Sequence, residues 1–256
     1  MRSETASQAR FGLGLAIVVG ASWLYLVYMA WGMANMDQPA AQLFMPAMMH
    51  WGLGDLALVF LMWAIMMAAM MLPSAAPMVR VFSRSAEAQS DCSVGSLTGA
   101  FVGGYLTVWT LFSALVTLAQ WGLLELRLVT PMMDSASGWL SGVLLVSAGA
   151  YQFSSFKNAC LNKCRTPLGF LMAEWRPGMR GAFVMGLRHG AYCTGCCAML
   201  MLLLFVLGVM NLAWIVVLTL IVLAEKLLPP ASTWPSRALG VGFFAWGSYV
   251  LLTVEA

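Results

Sequence analysis

Apolar residues run along this chain in long blocks and do not alternate with polar ones. Stretches of about 20 mainly apolar residues recur at 11–34, 53–73, 97–121, 136–156, 191–210, 211–229 and 237–254. A barrel strand would alternate apolar and polar positions, and these stretches do not. Such segments satisfy their own backbone groups only as helices. The pattern predicts an all-α, polytopic transmembrane bundle of about seven spans, forming one integral membrane domain over residues 1–256. The fourth stretch is short and rich in small residues. A tight turn joins the fifth to the sixth, and the fifth begins inside a longer helical pattern that starts near Gly181. Pro73 and Pro77 are expected to close the second span, with Ser74 between them as a partner for a carbonyl that a proline frees. The first stretch follows Arg2 and Arg10, as in a signal peptide, but it is longer than an h-region of about 7–15 residues. It reads as an uncleaved anchor.

Composition agrees. The chain is 61% hydrophobic and only 9% charged, against about 25% charged in a soluble domain. Charge placement then gives an orientation. With the N-terminus inside and seven spans threaded, 12 Lys and Arg residues fall inside and only Arg127 outside. Removing one span would scatter them to both faces, so the positive-inside rule supports both the span count and a cytoplasmic N-terminus. The expected location is the bacterial inner membrane, with the lipid bilayer as the first partner. The net charge of +3 reflects this topology and gives no reason to propose nucleic-acid binding. No G-x-x-x-x-G-K-[ST] loop is present, so no nucleotide is expected either.

Candidate chemistry is concentrated in sulfur. Of 21 methionines, 12 lie between Met29 and Met78. Met62, Met66 and Met70 recur at helical spacing and share a stripe; Met67 and Met71 form a second one, continued by Met78. Met45, Met48, Met49 and His50 precede them in a segment expected outside. Thioethers are soft, weak donors suited to Cu(I), although methionine is also a common packing residue. Cys160 and Cys164 lie four apart in the expected cytoplasmic loop 155–190. Cys193, Cys196 and Cys197 open the fifth span and share one helical face with His189. Five thiols at such spacing suit Cu(I) or Zn(II). Cys160 or Cys164 is expected to fold back within ligand reach of the Cys193 group. The isolated Cys92 reads as a small buried residue. Glu225 and Lys226 end the sixth span, where they could pair with each other or with Arg188. Gly99-x-x-x-Gly103 offers a close helix contact.

Three motifs carry a resemblance. They are Met62-Trp63-x-x-Met66-x-x-Ala69-Met70-Met71-x-Pro73-Ser74; Tyr151-Gln152 with Lys157-x-x-Cys160-Leu161-x-x-Cys164-Arg165-x-Pro167; and Gly190-x-x-Cys193-x-Gly195-Cys196-Cys197, followed by Gly208-x-Met210-Asn211 and Glu225-Lys226. Together they resemble the DUF2182 family of uncharacterised, metal-binding integral membrane proteins over roughly residues 50–250. The resemblance implies metal binding and supplies no substrate. In chemistry alone, the methionine ladder with inside thiols is also similar to the eukaryotic copper-uptake channels.

The leading expectation is Cu(I) handling or transport across the membrane. Met45, Met48, Met49 and His50 would gather metal outside, Met62, Met66 and Met70 would pass it inward, and the five cysteines would receive it. A metallochaperone or a membrane partner protein could complete the route, and no catalytic residue is expected. Two alternatives stay open. One is a membrane thiol-disulfide oxidoreductase using Cys193-x-x-Cys196 with Cys160 and Cys164, against which stand the absence of outside cysteines and the excess of clustered thiols. The other is a scaffold subunit of a larger complex.

Overall fold

The computed structural model describes residues 2–35, 37–38, 51–89, 93–128, 137–229 and 232–254, with only the backbone at 2–11 and 88–89. All regular structure among the described residues is helical. The long helices are α1 (Arg2–Ala34), α2 (Leu53–Gln89) and α3 (Val94–Glu125). Then come α4 (Gly138–Gln152), α5 (Ser155–Arg165), α6 (Pro167–Glu174) and α7 (Gly178–Leu202). A single turn, α8 (Leu204–Leu207), leads to α9 (Leu212–Leu227) and α10 (Trp234–Val254). By length and composition five segments can cross a membrane: Gly12–Ala34, Leu53–Glu87, Val94–Glu125, Gly178–Leu207 and Trp234–Val254. The 15 residues of α4 and 16 of α9 rise roughly 22–24 Å at 1.5 Å per residue, short of the hydrocarbon thickness of about 30 Å.

Several local expectations are corrected. The prolines do not close the second span: α2 continues through Pro73 and Pro77 to Gln89. Proline deletes a ladder bond, but packed neighbours supply replacement polar contacts in membrane helices. The carbonyls that Pro73 and Pro77 deprive of a ladder donor are those of Ala69 and Pro73; between these, Ser74 Oγ and the Tyr105 hydroxyl both donate to the Met71 carbonyl, at 2.8 and 3.2 Å. The loop expected over 155–190 is mostly helix. Ser154 caps α5, accepting from the Phe156 amide at 3.2 Å, and Pro167 sits in the first turn of α6, where its missing N–H costs nothing. The tight turn before α9 is built on Gly208, whose φ of 92° suits glycine.

Glycine sets the closest helix contacts, at positions other than the Gly99 and Gly103 expected. A Cβ at either of those would meet nothing within 4 Å. The approach of α3 to α7 is instead made by Gly104 and Gly186: a Cβ on Gly104 would strike the Phe183 carbonyl, and one on Gly186 the Phe101 carbonyl. Along α4 and α10, antiparallel to each other, Gly149 faces Phe244 and Gly247 faces Val146; a Cβ on either would lie 2.7 Å from the facing backbone nitrogen. Small residues let membrane helices approach backbone to backbone, where packing and not hydrophobicity drives association.

The main core gathers the methionines of α2, Met62, Met66, Met67, Met70 and Met71, with Cys193, Cys196 and Cys197 of α7. Met78 continues the Met67 and Met71 stripe along the unbroken α2, but it packs elsewhere. It belongs to a second core with Phe82, Phe101, Phe170 and Met185.

Candidate metal centre

The thiols do not open their helix, which starts fifteen residues earlier, at Gly178. Cys193, Cys196 and Cys197 occupy the second half of α7 and are all buried. Their spacing of three and four residues places them on one face, which α7 turns toward the main core. Helix α5 flanks that face at its Cys196 edge, where Gly195 lets it come near. A Cβ at Gly195 would stand 2.8 Å from Cys160 Sγ. Cys164, one turn further along α5, is within hydrogen-bonding reach of Cys196. The Tyr151 hydroxyl donates to the Gly195 carbonyl and pins the same turn of α7 from α4. The two cysteine sets are thus brought together, as the spacing anticipated. All five are free thiols. On α5, burial and the neighbouring Cys196 push the Cys160 thiol pKa up, and a hydrogen bond to Cys196 together with burial pushes Cys164 well above its ordinary value.

The other side of the cluster is made by α2, α3 and α9. Lys226 of α9 donates to Cys193 Sγ and to Ser74 Oγ, both at 2.9 Å. The Tyr105 hydroxyl lies 3.0 Å from Cys193 Sγ. The Cys197 thiol stands 3.8 Å from Met71 Sδ. The methionine that touches the thiols is therefore Met71, from the second stripe. Met62, Met66 and Met70 are buried in the same core, further along α2 toward Leu53.

A second polar knot lies beside the first. Lys157 is wholly buried and bonds both carboxylate oxygens of Glu225, at 2.7 and 2.8 Å, as well as the Gln152 side chain. Ser236 Oγ donates to Glu225 Oε1 at 2.6 Å. Arg165 Nε donates to the Glu225 carbonyl at 2.6 Å, and its Nη1 to the Ser232 carbonyl at 3.0 Å. Helices α4, α5, α9 and α10 are tied at one point. This corrects the expected pairing: Glu225 and Lys226 are sequence neighbours that turn to different partners, and Arg188 pairs with Glu174.

His189 does not join the thiols by hydrogen bonding. Its ring packs among Phe101, Tyr105 and Phe170, with centroids 5.5–6.0 Å away, and its buried Nδ1 has no hydrogen-bond partner among the described residues. Met45, Met48, Met49, His50 and Cys92 lie outside the described residues. Sequence reasoning did not assign Tyr105 or Lys226 to the cluster. An ionisable residue in an apolar run was the available signal for Lys226; a lone tyrosine in a span gave none.

The donors suit a soft cation, but they are not arranged as a finished cage. Among the described residues no group of three His, Cys, Asp or Glu side chains is set to hold a metal. Cys196 and Cys197 point their thiols at the Cys193 carbonyl, at 3.1 and 2.9 Å. These are the ordinary local bonds of a cysteine inside a helix, and each is a weak thiol bond that a side-chain rotation gives up.

The sequence matches the PpoB2 family of copper chaperones over residues 60–250, which is most of the chain, and the chain belongs to that family. No curated protein and no solved structure matches it.

Proposed function

We propose that this member of the copper-chaperone family is a multi-pass protein of the bacterial inner membrane that takes Cu(I) as cargo onto the thiols of α5 and α7. One observation carries the reading. Soft sulfur donors from three helices, Met71, Cys160 with Cys164, and Cys193 with Cys196 and Cys197, meet in one buried cluster. Thiolate and thioether together select Cu(I) over harder ions. Zinc remains chemically possible at the thiols alone.

In this reading α4 and α9 also cross the bilayer, giving seven crossings with the N-terminus in the cytoplasm. The antiparallel packing of α4 along α10 supports it, as does the gathering of Lys and Arg on one side. Copper arrives from outside by way of Met45, Met48, Met49 and His50 and passes Met62, Met66 and Met70. It reaches the thiols through Met71. Softness rises along that route, which gives it a direction. A separate metallochaperone or membrane partner then receives the metal.

The test is metal analysis of protein purified in detergent under reducing conditions. Wild-type protein is expected to retain stoichiometric Cu(I). Replacing Cys193, Cys196 and Cys197 by Ser exchanges soft sulfur for hard oxygen and abolishes that retention. Replacing Met62, Met66 and Met70 by Leu preserves retention by the purified protein and lowers copper uptake by intact cells. A wild-type protein free of metal but carrying a reversible disulfide would replace this reading with the thiol-disulfide one.

A further inference from the structure

Among the described residues Lys226 is a buried cation that hydrogen-bonds no carboxylate. Its partners there are the Ser74 hydroxyl and the Cys193 thiol. The neighbouring carboxylate, Glu225, is already occupied on both oxygens by Lys157. Leaving a buried charge uncompensated is costly, and intramembrane ions persist where function requires them. The ammonium is aimed at the sulfur that sits beside Cys197, itself in contact with Met71.

We propose that Lys226 is the built-in counter-charge of the loaded copper centre, and that it fixes a two-thiolate site made by Cys193 and Cys197. The inference rests on the copper reading above and deepens it. The charge balance is simple. Cu(I) brings one positive charge. Two sulfur–copper bonds form, the two S–H protons pass to solvent, and no electron moves. The resulting bis-thiolate complex carries one net negative charge, which would be expensive in a low-dielectric interior. The Lys226 ammonium cancels it. Met71 adds a neutral donor and leaves the balance unchanged. A third thiolate would bring back a net negative charge, so Cys160, Cys164 and Cys196 serve as the next holding points and do not complete the first. Ser74 keeps the ammonium in place from α2. Lys226 is thus a positioning and charge-setting residue, and it is not a ligand.

The experiment titrates full-length purified protein with Cu(I) against a chromophoric Cu(I) chelator. Wild type is compared with Lys226→Arg, Lys226→Gln and Lys226→Leu. Gln keeps hydrogen bonding to Ser74 and Cys193 and removes the charge. Leu removes both and adds no donor. Both neutral variants should bind Cu(I) about 10- to 100-fold more weakly, the range seen when groups supporting metal ligands are lost. Arg should recover most of that loss. Gln binding at wild-type strength overturns the counter-charge. If neither neutral variant folds, Ser74→Ala decides: it leaves every proposed ligand in place and must weaken Cu(I) binding, and wild-type affinity there overturns the proposal. A wild-type protein that binds no Cu(I) at all removes the copper reading itself, so the two failures are distinguishable.

Discussion

Two lysines are buried side by side in this bundle and are treated in opposite ways. Lys157 is enclosed by a carboxylate, an amide and, through Glu225, a serine hydroxyl and the Arg165 guanidinium. Lys226 meets a hydroxyl and a thiol. The first charge is fully answered within the protein. That knot fastens four helices, and nothing about it calls for a ligand. The second is answered only in part, and the deficit faces the sulfur cluster. A satisfied buried charge reads as a fastening, whereas an unsatisfied one reads as a place prepared for another ion. The contrast is informative because both lysines are buried, so exposure does not explain it.

The comparison breaks most visibly at Glu225. Glu225→Gln leaves Lys157 buried beside neutral groups, and losing one partner of a buried pair costs about 3–5 kcal/mol. Thermal unfolding in detergent should show a large drop in Tm. Lys226→Leu in metal-free protein removes a charge that had no carboxylate partner, and it should be neutral or stabilising. Equal losses for the two variants would erase the distinction between the two lysines.

A smaller effect separates the glycines. Gly186→Ala drives a methyl into the Phe101 backbone, and overpacking of this kind costs about 1–3 kcal/mol. Gly103→Ala meets open space and should change stability by less than about 0.5 kcal/mol. A pair of unfolding curves measures both. If Gly103→Ala is the more damaging, the α3–α7 contact has been misplaced.

The smallest effect belongs to a more exposed ion pair, Arg188 with Glu174, where 43% of the Arg188 side chain is exposed. Glu174→Gln should cost about 0.2–1 kcal/mol, shrinking further in high salt as screening grows. A loss comparable to that of Glu225→Gln would mean that burial does not set the rank of these pairs.

Much of this was legible along the chain. Long apolar blocks located α3, α4, α9 and α10 to within about four residues, but α1 starts well before its block, α7 starts at Gly178 and not near 191, and α2 runs on past its prolines. A proline announces a lost ladder bond, but it does not by itself end a helix whose flanking residues keep helical geometry, and α2 runs on to Gln89. The face shared by Cys193, Cys196 and Cys197 was also legible, because three- and four-residue spacing fixes a helical face whatever surrounds it. The association of Cys160 and Cys164 with that face was anticipated from soft-ligand chemistry, and Gly195 supplies the physical means. His189 shares the face by spacing, yet its ring joins Phe101, Tyr105 and Phe170. Periodicity gives a direction from the helix axis, and the neighbouring helix decides what stands in that direction.

By itself, then, the sequence determined an all-helical chain with segments suited to a bilayer, a sulfur-rich interior, and the residues that could share each helical face. These follow from hydropathy and from the 3.6-residue turn, both of which are local. Only the tertiary structure decided the partners across helices. Glu225 joins Lys157, 68 residues away, and Lys226 joins Cys193, 33 residues away. Met71 rather than Met70 touches a thiol, and Gly104 with Gly186, not Gly99 with Gly103, sets the closest contact between α3 and α7. Each of these choices turns on the rotation of one helix against another. A step of one residue turns a side chain by about 100°, so adjacent residues such as Glu225 and Lys226 face different neighbours. Which neighbour each one meets is fixed only when all the helices are packed together.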